Sequence, residues 1–403
     1  MTATDAGRIL QVAGASAGSG SAARFTLDGD DALERHLDRT CARVLSGIRG
    51  LLPPQRLEAV LLGGGYGRGE GGVLRGPAGD RPYNDLEFYV AIRGNRHLNE
   101  FRYQRRLEVL GEILSHLADA EVEFKITSLA ELAARPISMF SYDLISGHRR
   151  LWGMASGRLP GCDHHKRPQD IPPAEAARLL MNRCSGLLFA RVELGREPLA
   201  PAAADFVRRN IAKVQLACGD AVLAAVGQYH WSCLERHRRL ERLALAEPSP
   251  WLDAVLSHHG TGVEFKLHPT AGGLPHGALT TLHGEIAALS LQCWLRLEAR
   301  RLGRAFPSAR AYAEDAGDQC PESSPPINLL LNLRNFGFRL QIHPSPWRHP
   351  RQRIFRSMAL LLWEPSALAH PTLRGRLETE LNVRGHAASH WIAAYRSLWR
   401  RIR

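Results

Sequence analysis

Residues 61–72 read LLGGGYGRGEGG, and after a short loop residues 84–90 read NDLEFYV. Seven of the twelve residues in the first stretch are glycine. Such a run holds little by side-chain packing and offers a ligand chiefly its backbone N–H groups. The apolar segment LEAVLLGG leads into it and reads as a strand. What the glycines serve is decided downstream.

Three uses compete. Gly67-Arg68-Gly69-Glu70-Gly71-Gly72 fits GxGxxG, but a dinucleotide site needs a helix to open at once, so that its N-terminus meets the pyrophosphate. The continuation VLRGPAGDRPYND is not that helix. Val90-Ala91-Ile92-Arg93 has the outline of the kinase VAIK strand, yet Arg replaces Lys and no HRD or DFG segment follows. The third use rests on Asp85 and Glu87. On a strand, residues two apart project from one face, while Leu86, Phe88 and Val90 fill the other. Two adjacent carboxylates repel each other unless a cation such as Mg²⁺ neutralises them. Glycine N–H groups opposite the pair can hold the oxygens of a triphosphate. Together these features specify metal-assisted phosphoryl or nucleotidyl transfer.

This pattern resembles the signature of the DNA polymerase β-type nucleotidyltransferase superfamily, in particular its aminoglycoside-type members: an apolar strand, Gly-Gly or Gly-Ser, Arg-Gly, then Asp-x-Asp/Glu. Gly64 and Gly65 match the Gly pair, Arg68 and Gly69 the Arg-Gly, and Asp85 and Glu87 the metal-binding pair. The insertion EGGVLRGPAGDRPY is longer than the pattern has. The likeness covers roughly residues 55–155. It implies an α+β nucleotidyltransferase domain with a mixed sheet, two Mg²⁺ ions, and a nucleoside triphosphate, most often ATP, as substrate. A hydroxyl-bearing acceptor would attack the α-phosphate and expel pyrophosphate; small molecule, protein and RNA end stay open. It also implies a third carboxylate on a later strand. In AEVEFKIT, Glu121, Glu123 and Lys125 share one face, with Glu123 the candidate and Glu121 in reserve. Gly64, Gly65, Tyr66, Arg68 and Gly69 would line the nucleotide, and Lys213, on a helix of the kind that follows the catalytic domain in such proteins, would reach its phosphates. Asp85, Glu87 and Glu123 are therefore expected to converge opposite the Gly64–Gly69 turn. The alternatives are a catalytically silent nucleotide-binding module on the same fold, or a helical RNA- or DNA-binding protein.

Around this centre the 403-residue chain organises itself in four parts. Residues 1–24 read as a frayed Gly/Ala/Ser tail, without the basic start and apolar core of a secretion signal. Residues 25–170 are the α+β domain, including a helix over 30–49 and a hairpin of ISMFSYDLIS and RRLWG across Ser146-Gly147-His148. Residues 171–315 are helical, and 316–403 form a further helical segment packed on the rest, after the linker EDAGDQCPESSPP. No apolar run approaches the length of a bilayer span. Seven widely spaced cysteines without a CxxC pair fit a reducing cytoplasm. A net charge of +12 favours acidic partners such as nucleotides.

Weaker signals read as structural. CDHHKRP, 162–168 without partner spacing, and His258-His259 are taken for surface segments rather than metal sites. Arg209, Lys213 and Asp220 fall on one helical stripe, and Asn182-Arg183 is a polar pair inside an apolar helix with the option of facing the cleft. The C-terminal SHWIAAYRSLWRRIR carries an apolar face suited to packing on the protein's own core or to a membrane surface.

Overall fold

The computed structural model describes residues 24–153, 159–270, 274–337, 346–385 and 387–402. The tail expected over 1–24 lies outside them except for Arg24. The chain divides into two compact units, the first comprising residues 1–172, 226–249 and 260–272, the second 173–225, 250–259 and 273–403.

The first unit runs α1 (Asp31–Leu51), β1 (Leu57–Leu62), α2 (Gly64–Arg68), β2 (Val73–Leu74), β3 (Arg81–Pro82), β4 (Leu86–Ile92), α3 (Arg96–Ala118), β5 (Val122–Thr127), α4 (Leu129–Ala134), α5 (Met139–Ser146) and β6 (Arg149–Trp152). Asp30 opens α1 by accepting a hydrogen bond from the Leu33 N–H, which satisfies one of the first-turn donors a helix leaves unpaired. The main sheet has the order β5–β4–β1–β6. β4 and β5 are parallel, β1 antiparallel to both of its neighbours. The parallel pair is joined through α3, as parallel neighbours require a crossover.

Side-chain alternation gives the sheet two buried faces. Leu86, Phe88, Val90 and Ile92 enter one core with Leu33, Leu37 and Val44 of α1 and Leu107 and Leu114 of α3. Tyr89 and Ala91 enter a second core with Leu132, Leu144 and Ile145 of α4 and α5. Each fully buried Leu, Val or Phe contributes about 1.5–3 kcal/mol relative to exposure.

Two local expectations are corrected. Residues 139–146 are helix, not the first arm of a hairpin. Ser138 and Ser141 form a reciprocal capping box, and Tyr142 and Ile145 fall on a buried side at helical spacing. The glycine run is not an open turn either, because it enters the five-residue α2 directly and ends it at Gly69, whose φ of 78° is left-handed. This short helix precedes Gly69–Gly72, and residues 73–85 that follow the glycines contain no helix, as the argument against a dinucleotide loop requires.

The remaining helices are α6 (Pro173–Leu194), α7 (Pro201–Ala225), α8 (Cys233–Ala246), α9 (Pro250–Leu267), α10 (His276–Leu302), α11 (Ala309–Glu314), α12 (Pro325–Phe336), α13 (Arg351–Met358), α14 (Pro371–Leu381) and α15 (Ala388–Ile402). In the second unit α6, α7 and α10 pack against one another. Trp294 centres an aromatic cluster with Tyr312, Phe355 and Trp363. The segment 314–326 is tied down rather than free, since Gln319 is fully buried and its N–H donates to Gln352 at 2.9 Å. Trp391, Tyr395, Leu398 and Ile402 of α15 are buried, the Tyr395 hydroxyl 2.7 Å from the Ser185 hydroxyl. That helix spends its apolar face on the protein's own core. Among the described residues no helix is long and apolar enough to cross a membrane.

Candidate functional site

Pairing register builds the site. In the parallel β4–β5 pair Glu87 lies opposite Glu123 and Tyr89 opposite Lys125, so the four side chains share one face. Asp85 precedes the first residue of β4. One carboxylate oxygen each from Asp85, Glu87 and Glu123 lie within 4.8 Å of one another. Glu121, just before β5 and outside it, is not one of the three. Its carbonyl accepts the Leu86 N–H at 2.7 Å and its side chain is exposed.

The glycine turn meets the cluster at one point. A Cβ on Gly64 would lie 3.2 Å from Glu87 Oε2, and the residue's φ of 62° is left-handed. Gly63 donates its N–H to the Glu87 carbonyl at 2.8 Å. Backbone conformation and close approach together require glycine at position 64.

Lys125 completes the arrangement. Its Nζ lies 2.6 Å from Glu87 Oε1 and 3.3 Å from Glu123 Oε2, and 5.6 Å from the centre of the Tyr89 ring. The Tyr89 hydroxyl reaches Glu87 Oε2 at 3.5 Å. Burial, then the charges of Glu87 and Glu123, hold the Asp85 carboxyl above its ordinary value of 3.8. For Lys125, burial alone would lower the ammonium; Glu87, Tyr89 and Glu123 outweigh it and raise it above 10.5. The ammonium is thus an internal counter-ion. Its stabilising effect is present below pH 10.5 and is lost as pH rises through the higher native value.

The donor set fits a hard divalent cation. Oxygens on opposite sides of one ion are about 4–5 Å apart for Mg²⁺ and Ca²⁺, comparable to the spread of the three carboxylates, and all three donors are of the type these ions prefer. An ion held there competes with Lys125 for Glu87 and Glu123. Lys125→Met is therefore expected to tighten divalent-ion binding by about tenfold, one pKa unit of interaction, as read by calorimetry. Because the lysine is partly exposed, its loss lowers ion-free stability by only about 1 kcal/mol. Unchanged or weaker ion binding in that variant would rule out the competition.

Most of the other residues anticipated at the site have partners of their own. Tyr66 is fully buried in the first core. Its hydroxyl donates to the Gly72 carbonyl at 2.8 Å and accepts the Tyr83 N–H at 2.9 Å, so it braces the loop rather than lining a ligand. Arg68 is engaged by Asp143 Oδ2 and the Trp231 carbonyl, both at 3.0 Å. Gly65 accepts the Glu70 N–H, and Gly69 is the helix cap. Glu70 is buried and receives hydrogen bonds from the Ser232 hydroxyl and the Cys233 N–H. Lys213 belongs to α7 in the second unit. On the same helix Arg209 pairs with Asp205 at 2.9 Å, and Asp220 lies 3.3 Å from the buried His259. Asn182 accepts the Trp399 indole N–H. His165 and His259, read as surface residues, are both fully buried. His165 has a ring nitrogen 2.8 Å from the Leu132 carbonyl.

The sequence sets Lys125 on the carboxylate face but gives it no role. Its signal was the Glu-x-Lys spacing, which sets a cation beside the acid once the strand pairs with another acidic strand. No family model, curated protein or solved structure matches this chain.

Proposed function

We propose that the first unit is a divalent-ion-dependent nucleotidyltransferase of the polymerase β type, moving a nucleoside monophosphate from a triphosphate to a hydroxyl. The observation that carries this reading is the meeting of Asp85, Glu87 and Glu123 at the start of two parallel strands, with Gly64 against Glu87. A divalent ion bound there would neutralise triphosphate charge and sharpen the electrophilicity of the α-phosphorus.

The chain's own groups supply the rest. Asp85 and Glu87 would hold the ion, and Glu123 would complete the acidic face. Glu123 would help take the proton of an acceptor hydroxyl, because Asp85 would be committed to the ion. Lys125, if an ion displaced it from Glu87, would leave an ammonium free to offset phosphate charge. Arg68 supports this scheme indirectly, by holding Asp143 beside the glycine run.

The second reading, a silent nucleotide-binding module, is favoured by one observation: Lys125 already neutralises Glu87 and Glu123. Pyrophosphate release from each of the four ribonucleoside triphosphates, with Mg²⁺ or Mn²⁺ and mixed hydroxyl acceptors, separates the two. Turnover that requires the divalent ion supports the enzyme. Triphosphate binding without turnover under all conditions supports the silent module, and neither binding nor turnover sinks both.

A further inference from the structure

Helix α3 has an inner face, Leu107, Gly111, Leu114 and Ala118, buried in the first unit. Its outer face is unusual for a soluble helix. Leu98, Phe101, Val109, Ile113 and Leu117 are 59, 91, 40, 56 and 48% exposed. Single exposed apolar residues are ordinary, but Leu98 with Phe101 near one end and Val109, Ile113 and Leu117 at four-residue spacing toward the other form a patch on one helix.

The charges among them are sorted along the helix. Arg102, Arg105 and Arg106 occupy the N-terminal half, and Glu108 and Glu112 the C-terminal half. These five are exposed, whereas Glu100, the acidic residue of the N-terminal half, is paired with Arg96 at 2.7 Å. Among the described residues, the ion pair within this set is Arg105–Glu108 at 3.6 Å, an exposed contact of little energy. A cavity of about 390 Å³ lined by Arg56, Arg93 and Arg102 extends the basic end. The helix dipole adds positive charge at that end and negative charge at the other.

We propose that this face is the contact of a two-fold homodimer, in which α3 packs antiparallel on α3 of a second copy. An antiparallel pair sets the arginine half of each helix against the glutamate half of the other, opposes the two dipoles, and covers both apolar stripes. The face is thereby complementary to itself, as an isologous interface must be. Parallel packing would set like charges together. An anionic membrane would draw in the arginines but repel Glu108 and Glu112. The dimer is independent of the chemistry at Asp85.

Sedimentation equilibrium of the full chain tests this. A concentration-dependent dimer is expected, with Phe101→Asp raising its Kd about 30-fold, the effect of losing one interface hot spot. The double variants Arg102→Glu/Arg105→Glu and Glu108→Arg/Glu112→Arg should each dimerise poorly alone and form a mixed dimer when combined. Every substituted side chain is exposed, so unchanged melting temperatures will show that the fold is intact. A wild-type monomer up to about 100 µM overturns the proposal. So does a dimer indifferent to Phe101→Asp, failure of the two double variants to pair, or flotation of a monomer with phosphatidylserine vesicles.

Discussion

Asp85→Asn is expected to cut divalent-ion-dependent pyrophosphate release by roughly 10²–10⁴-fold while raising the melting temperature of the ion-free protein. The two effects have one cause. Asn keeps the shape of Asp but removes a charge that burial, Glu87 and Glu123 all disfavour. In the native state that carboxyl holds its proton more tightly than the ordinary value of 3.8. Its contribution to stability therefore weakens as pH rises from 3.8 through the raised value, and above it the ionised group is a net cost. A site that concentrates negative charge to hold a cation is destabilising without one. Glu123→Gln should lower turnover in the same range, whereas Glu121→Gln should leave it unchanged. Turnover that survives Asp85→Asn, or is lost equally in Glu121→Gln, would sink the assignment of the acidic cluster.

The difference between Glu121 and Glu123 shows what one sequence leaves open. Both fall on the same face of the segment, so periodicity admits either. Inter-strand register alone pairs Glu123 with Glu87. The β4 alternation was readable because apolar and acidic residues alternate strictly from Asp85 to Phe88, which gives the core face of Leu86 and Phe88; the second buried face, Tyr89 and Ala91 against α4 and α5, does not follow from it. The run at 137–146 is apolar at both strand and helix spacing, and the Ser138–Ser141 capping box decides it.

The glycines misled in another way. A Cβ on Gly67 would collide with the Leu62 carbonyl, and one on Gly71 with the Tyr66 ring. Much of the glycine content thus serves close approach of backbone and side chains within the loop and its neighbours. Gly64, by contrast, approaches a carboxylate of the acidic cluster. Arg68 looked free for phosphate because its partners Asp143 and Trp231 stand 75 and 163 positions away, beyond any local pattern.

Glu70, which has no evident place in a phosphate loop, is expected to be among the costliest residues of the first unit to remove. It is 4% exposed and joins three segments distant in sequence. Its carboxylate accepts the Ser232 hydroxyl and the Cys233 N–H at 2.9 Å, at the start of α8, and lies 3.8 Å from Lys266 of α9. An anion is favoured at a helix N-terminus, where unpaired N–H groups converge. Burial alone would raise this carboxyl. Lys266, Ser232, Cys233 and Arg236 outweigh it and hold it below 4.5. Glu70→Ala leaves the Cys233 N–H and a mostly buried ammonium without their partner, a loss of about 3–5 kcal/mol. At about 2–4 °C per kcal/mol, the transition of the first unit should fall by roughly 10 °C. Glu70→Gln keeps one acceptor and should lose about 1–3 kcal/mol. The stabilisation supplied by the charge is present above pH 4.5 and is lost as pH falls through the lower native value. Wild type and Glu70→Gln should therefore converge in acid. Melting of Glu70→Ala within about 1 °C of wild type, or a gap to Glu70→Gln that widens as pH falls, would show that this carboxylate does not fasten α8 and α9 to the glycine loop.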